Sequence, residues 1–90
     1  MKYVVIYDIT DDDLRNSVAE ILKNFGLMRI QKSAFFGELD KNTYCALIKK
    51  LDETVKTDVV HVLPLCSSCF SEIKTVGYAL RPKEEPYVIL

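Results

Sequence analysis

Lys2-Tyr3-Val4-Val5-Ile6-Tyr7-Asp8, followed by Ile9-Thr10-Asp11-Asp12-Asp13, decides the fold. The run from Lys2 to Tyr7 is short, apolar and rich in β-branched and aromatic residues, which favour a pleated backbone. Apolar residues fall on both of its faces, the pattern of a central strand covered on both sides. It stops abruptly on the acid Asp8. Leu14, Val18, Ile21, Leu22 and Phe25 then recur on one face of a helix. Thr10 is expected to cap that helix, with Asp13 three residues on completing a Thr-x-x-Asp capping box. Asp11, Asp12 and Asp13 sit where the helix dipole favours negative charge. Gly26 follows as the expected terminating residue.

Working outward, Leu27 to Leu39 is β-like with a bend near Ser33, which reads as two short strands or one long bent strand. Asp40 or Asn42 caps a second helix, whose inner face carries Tyr44, Leu47, Ile48, Leu51 and Val55. Its remaining charges, Lys41, Lys49, Lys50, Asp52, Glu53 and Lys56, read as a solvated surface. Asp58 to Leu65 is a strand stopped at Pro64. Cys66-Ser67-Ser68-Cys69 reads as a turn, and Ile73 to Tyr78 as a further edge strand. Arg81-Pro82-Lys83-Glu84-Glu85-Pro86 is a rigid polar linker to the apolar terminus Tyr87-Val88-Ile89-Leu90. An apolar tail of this kind needs a partner edge, and the sheet of a second subunit is the simplest one.

Two β-α-β units on so short a chain predict an α+β fold, a ferredoxin-like sandwich with two helices on one face of an antiparallel sheet. Residues 1–80 form the domain, and residues 81–90 the linker and a C-terminal strand exchanged with the other subunit. The open face of the sheet must be covered as well, and a second copy is expected to cover it.

The chain has 90 residues, 49% hydrophobic and 28% charged, which bounds it to one small globular domain. A net charge of −1 excludes a wholesale basic surface, so any nucleic-acid footprint must be local. No apolar run is long enough to cross a membrane and no signal peptide opens the chain, so a cytoplasmic protein is expected. The cysteine count of 3 is odd and argues against a disulfide framework.

Asp8 is the leading candidate for chemistry. A carboxylate at the tip of an apolar strand suits Mg²⁺, a hard cation that takes oxygen ligands and keeps most of its waters. Were a dimer axis to run close by, two Asp8 side chains would share one ion, and its water would attack a phosphodiester. The plainer alternative is that Asp8 only ends the strand and accepts hydrogen bonds from the backbone around Thr10. Arg15 sits in the first turns of helix 1, against the dipole, which hints at a phosphate role. Arg29, Gln31 and Lys32, with Phe35 and Phe36, form the basic segment with interleaved aromatics, a mix that holds a nucleic-acid backbone and stacks bases. It also fits an ordinary half-buried strand. Cys66-x-x-Cys69 is half of a zinc site, but the spacing of Cys45 and His61 matches no finger pattern. Reduced, buried thiols are the expected reading, with a redox pair or a metal as alternatives. His61 alternates with Val60 and Val62 on a strand and reads as a lone histidine. The sequence holds no Gly-rich phosphate loop, nucleophile elbow or His-Glu-x-x-His motif.

Taken together, Tyr7-Asp8-Ile9-Thr10-Asp11-Asp12, Leu14-Arg15, Gly26-Leu27 and Arg29-Ile30-Gln31-x-Ser33-x-Phe35-x-Gly37 resemble the CRISPR-associated protein 2 family, the small dimeric proteins of the CRISPR adaptation module. The resemblance is close over the first 37 residues. Beyond them, length and pattern agree, including Pro64-Leu65-Cys66-x-x-Cys69 and the apolar end. It implies a ferredoxin-like homodimer with exchanged C-terminal strands, and Asp8 as a metal ligand facing its twin. Arg15, Arg29, Ser33 and Phe35 match positions tied to activity in nuclease members. Ser17 departs from the pattern, standing where some active members carry a second arginine.

The resemblance implies two functions of different class. One is a Mg²⁺-dependent endonuclease, with Mn²⁺ as an alternative ion, acting on single-stranded RNA or double-stranded DNA. The other is a bridge that joins the integrase subunits of the same module and holds spacer DNA during acquisition. The bridge is expected to be the physiological role, with cleavage secondary or absent altogether in a pure scaffold. A toxin-like ribonuclease of the same fold, acting on messenger RNA, is the remaining alternative, and Gln31-x-Ser33-x-Phe35 favours the CRISPR family over it.

Overall fold

A computed structural model describes residues 1–77 of the chain. The linker at 81–86 and the apolar segment Tyr87 to Leu90, with its expected exchange between subunits, lie outside the described residues. The elements run β1 (Lys2–Asp8), α1 (Asp12–Asn24), β2 (Met28–Gln31), β3 (Ala34–Glu38), α2 (Lys41–Thr54), β4 (Val59–Leu65) and α3 (Ser67–Ser71). The sheet has four strands in the order β2-β3-β1-β4, with every neighbouring pair antiparallel. This is the expected ferredoxin-like α+β sandwich, and β1 is the central strand that its apolar run requires.

Alternation along β1 divides the molecule into two faces. Tyr3, Val5 and Tyr7 point to the helices and are buried with Val18, Leu22, Leu27, Phe35, Leu47 and Leu51. Lys2, Val4, Ile6 and Asp8 point to the opposite face. There Phe36 forms a smaller cluster with Val4, Met28, Ile30 and Leu65, capped by Phe70 of α3. The two rings lie 5.4 Å apart and nearly parallel. α3 thus covers one end of the second face. The other end keeps Ile6, Val59, His61 and Leu63 exposed, and pairing sets Ile6 beside His61, Val4 beside Leu63 and Asp8 beside Val59.

Several local expectations change. The N-cap of α1 is Asp11 and not Thr10; its carboxylate accepts from the Leu14 N–H at 2.8 Å. Either residue has the right chemistry; with the cap at position 11 the helix starts at Asp12, and its buried face carries Val18 and Leu22. α2 is capped by Asp40, which accepts from the Thr43 N–H at 2.7 Å. The end of α1 carries the double bond of a Schellman motif, Gly26 N–H to Lys23 O and Leu27 N–H to Leu22 O, with Gly26 at φ +91°. The β-like stretch resolves into two strands joined at Lys32-Ser33.

Pro64 does not end β4, which runs on to Leu65 with Pro64 opposite Tyr3. β4 is an edge strand, where a residue without an N–H is tolerated. Cys66 to Cys69 enters the short helix α3 and is not a simple turn. Ile73 to Gly77 joins no strand among the described residues. Cys45, Cys66 and Cys69 are all free and exposed, not buried. Among the described residues no helix is long and apolar enough to cross a membrane.

A candidate active site at the Asp8 end of the sheet

Asp8 is the last residue of β1, exposed, on the sheet face that the helices leave open. No hydrogen bond or ion pair engages its carboxylate among the described residues. The backbone around Thr10 does not bond to it; the Arg15 guanidinium holds the Ile9 and Thr10 carbonyls of that loop, and the Asp11 carboxylate takes the Leu14 N–H. Both carboxylate oxygens therefore keep their lone pairs, at the end of a strip formed by Ile6, Val59, His61 and Leu63.

Arg15 resolves the conflict with its helix dipole by folding back on the β1–α1 loop. Its Nη1 donates to the carbonyl oxygens of Ile9 at 3.1 Å and Thr10 at 3.4 Å, and its Nη2 pairs with Asp12. The carbonyls directly after Asp8 are thereby fixed. Arg15 keeps 38% of its side chain exposed, so part of its charge still reaches solvent near the site.

The β2–β3 turn lies on the other side of Asp8. The Tyr7 N–H donates to the Ser33 carbonyl at 3.0 Å, and the Tyr7 hydroxyl reaches the Lys32 carbonyl at 3.5 Å. Ser33 is half-buried and Lys32 exposed, so Tyr7 ties both to the strand end that carries Asp8. Nothing in the sequence reading assigned this part to Tyr7; the available signal was a phenol one residue before the acid and on the opposite face.

Arg29 and Phe35 occupy the helix side. They are paired across β2 and β3, and Phe35 is completely buried. The Arg29 guanidinium carbon lies 5.1 Å from the centre of the Phe35 ring, and its Nε is buried without a hydrogen-bond partner. The aromatic thus holds the cation, and it does not itself meet solvent. Arg29 and Asp8 are on opposite faces of the sheet, so one chain does not aim both at a single small ligand. Arg15, Lys32 and Ser33 are the predicted residues that cluster around the strand end.

As a metal site, the arrangement offers one hard oxygen ligand per chain. The described residues contain no group of three or more His, Cys, Asp or Glu side chains able to enclose an ion. That donor set fits a largely hydrated Mg²⁺ or Mn²⁺ shared with a second carboxylate, and does not fit a structural cage.

The sequence family described as CRISPR associated protein Cas2 matches residues 1–73. A CRISPR-associated endoribonuclease Cas2 from Archaeoglobus fulgidus is 41% identical over 73 residues, which span 79% of this chain and 78% of that protein. A CRISPR-associated endonuclease Cas1/endonuclease Cas2 fusion from Thermoproteus tenax is 49% identical over 53 residues, 59% of this chain and 19% of the fusion. Among solved structures, the hypothetical protein TT1823 from Thermus thermophilus superposes with a TM-score of 0.77 at 27% identity, covering 91% of this chain and 96% of that one.

Proposed function

This chain belongs to the CRISPR-associated Cas2 family, and from that premise we propose that it is a metal-dependent endonuclease of the CRISPR system, acting as a homodimer on single-stranded RNA or double-stranded DNA through Asp8. The observation that carries the reading is the unbonded, exposed Asp8 carboxylate at the end of an open apolar strip. A two-fold contact between two such strips would remove Ile6, Val59 and Leu63 from water, and an axis running along the strands would set the two Asp8 residues on the same side of the dimer. The name of the Archaeoglobus fulgidus relative, an endoribonuclease, supports RNA as the first substrate to try.

In this reading Asp8 and its twin hold a Mg²⁺ or Mn²⁺ ion. Bound there, the ion supplies Lewis-acid activation of water and of the phosphoryl oxygens. Arg15 fixes the loop beside the ligand and lends part of its charge, and Lys32 adds a mobile cation. Arg29, stiffened by Phe35, positions the nucleic-acid backbone along the hairpin. Ser33 offers a hydroxyl near the strand end.

The bridging role rests on a different observation. In Thermoproteus tenax a related segment is fused to an endonuclease named Cas1, which supports a reading in which this dimer works beside such a partner, joins two integrase units and holds spacer DNA on its basic residues. The two roles are compatible, since one uses Asp8 and the other the outer surfaces.

The deciding experiment is Mg²⁺-dependent cleavage of single-stranded RNA and double-stranded DNA by the wild type beside Asp8→Ala, purified identically. The expected result is cleavage that disappears in Asp8→Ala while the dimer persists. Equal cleavage by both proteins overturns the Asp8 site, and no cleavage by either leaves the bridge as the function.

A further inference from the structure

Of the three free thiols, all left unused by the proposed function, Cys66 and Cys69 are the two that lie close together in the chain. Both are exposed, and they lie one helical turn apart. The Phe70 N–H donates to the Cys66 carbonyl at 2.9 Å, so the turn is already closed. Three helical steps place two Cα atoms roughly 5 Å apart, inside the spacing a disulfide spans. The Cys66 sulfur is within 3.6 Å of the Ser68 hydroxyl. It also lines a cleft of about 360 Å³ with Met1, Lys2, Glu38, Leu65 and Ser67. Lys2 and the N-terminal ammonium of Met1, each 3.4 Å from a Glu38 carboxylate oxygen, give that cleft two cations and one anion. A zinc reading has no third ligand, because no cluster of three metal-binding side chains exists among the described residues.

We propose that Cys66 and Cys69 form a dithiol redox site that exchanges with small peptide disulfides entering this cleft, Cys66 as the attacking thiol and Cys69 as the resolving one. The Cys66 thiolate attacks one sulfur of the incoming disulfide. A mixed disulfide forms and the first thiolate leaves, taking a proton from solvent. Cys69 then loses its proton and attacks the Cys66 sulfur, closing the internal disulfide and releasing the second thiol. Two electrons and two protons pass from the pair to the reagent, so one disulfide is reduced as another is made.

The electrostatics of the pair match that order. Hydrogen bonds from the Cys69 backbone N–H, the Ser68 hydroxyl and the Cys69 thiol bring the Cys66 thiol down to about 7. Cys69 is pushed up by donating to Cys66 and by its negative charge. Both causes vanish once Cys66 is tied up in a mixed disulfide, which frees Cys69 to resolve it. At pH 7 a thiol near 7 has about 16 times the thiolate of an unperturbed one, offset by a roughly fivefold weaker nucleophile, for a net gain of about threefold.

The test uses the full chain carrying Cys45→Ser, reduced, freed of reductant and treated with oxidised glutathione at pH 7, then acid-quenched for intact mass. The expected product loses two hydrogens and carries no glutathione. Adding Cys69→Ser should trap one glutathionyl group, formed about threefold faster than on free cysteine. Adding Cys66→Ser instead should abolish the internal disulfide and slow the mixed one. Equal rates for those two variants, or two glutathionyl groups on the parent, would overturn the assignment.

Discussion

The guanidinium of Arg29 lies over the ring of Phe35, 5.1 Å from its centre, with the Nε buried and unbonded. The ring face is electron-rich and the cation is only partly hydrated, a contact worth about 0.5–2 kcal/mol. Its planar side chain is therefore oriented before any ligand arrives. Arg29→Ala should weaken nucleic-acid binding and reduce the slope of log affinity against log salt by about 0.7–0.9 for each lost phosphate contact. Arg29→Lys should restore part of the slope but not all of the affinity, because an ammonium does not stack as a plane. Titrations at several salt concentrations separate the two effects, and an unchanged slope in Arg29→Ala removes Arg29 from the interface.

Phe35 has no exposed surface, so its substitution acts first on the fold. Phe35→Ala should cost about 3–5 kcal/mol by emptying the core. Phe35→Leu keeps most of the volume but removes the ring, and should lower affinity for nucleic acid more than stability. Urea unfolding beside binding titrations reads both.

The exposed strip of Ile6, Val59 and Leu63 gives a direct test of the dimer. Leu63→Lys places a charge in the middle of the proposed contact. Leaving it unpaired there costs at least about 2 kcal/mol, equivalent to roughly thirtyfold in the dimer dissociation constant. Sedimentation should show a monomer with unchanged far-ultraviolet circular dichroism, and a persistent dimer would move the interface elsewhere.

Asp40 gives a pH dependence of known sign. Its carboxylate is held below the usual range, chiefly by the Thr43 N–H. A group depressed in the folded state contributes stability above its unfolded value and loses it as pH falls through the folded one. The loss should therefore begin near the ordinary carboxylate range, about pH 4, and deepen below it. Asp40→Asn keeps a capping oxygen without the charge and should flatten this part of the acid limb, as measured by urea midpoints from pH 7 to pH 2.5.

The two capping candidates of α1 are separable by single substitutions. Asp11→Ala should destabilise the protein by about 1 kcal/mol, since it leaves the Leu14 N–H without its partner. Thr10→Ala should fall within about 0.5 kcal/mol of the wild type. Chemical unfolding of both variants checks the order.

Why the sequence revealed so much of this molecule, and where it misled, follows from spacing. β1, α1 and α2 each repeat their apolar residues often enough to declare a period, and Asp8 is visible as the polar residue that ends a run. Thr10 is expected as the cap of α1 and the structure uses Asp11, one residue on, because Thr10, Asp11, Asp12 and Asp13 are consecutive and all able to cap. Pro64 looks like a stop in the linear sequence because its place on an edge strand depends on the order of the whole sheet. Cys66 to Ser71 is too short for any period to show. The stacking of Arg29 on Phe35 depends on a register between strands that a linear pattern does not contain. The role of Tyr7 is hidden for the same reason, since its anchor at Lys32 is 25 residues away in the chain.

At Gly37, a Cβ would stand 3.0 Å from Leu27 Cγ and 3.1 Å from Leu27 Cα. The bare backbone of β3 therefore lies directly against the exit of α1, where Gly26 and Leu27 are already locked by two hydrogen bonds. The β2–β3 hairpin is clamped at its base and cannot swing as a flap. The backbone that carries Arg29, Lys32 and Ser33 is therefore a stiff lever, so under the proposed function contact with a polynucleotide should cost little backbone ordering entropy, and only the exposed Lys32 side chain has to be ordered. Amide exchange along the hairpin should accordingly track the opening of the end of α1, the two melting as one mechanical unit.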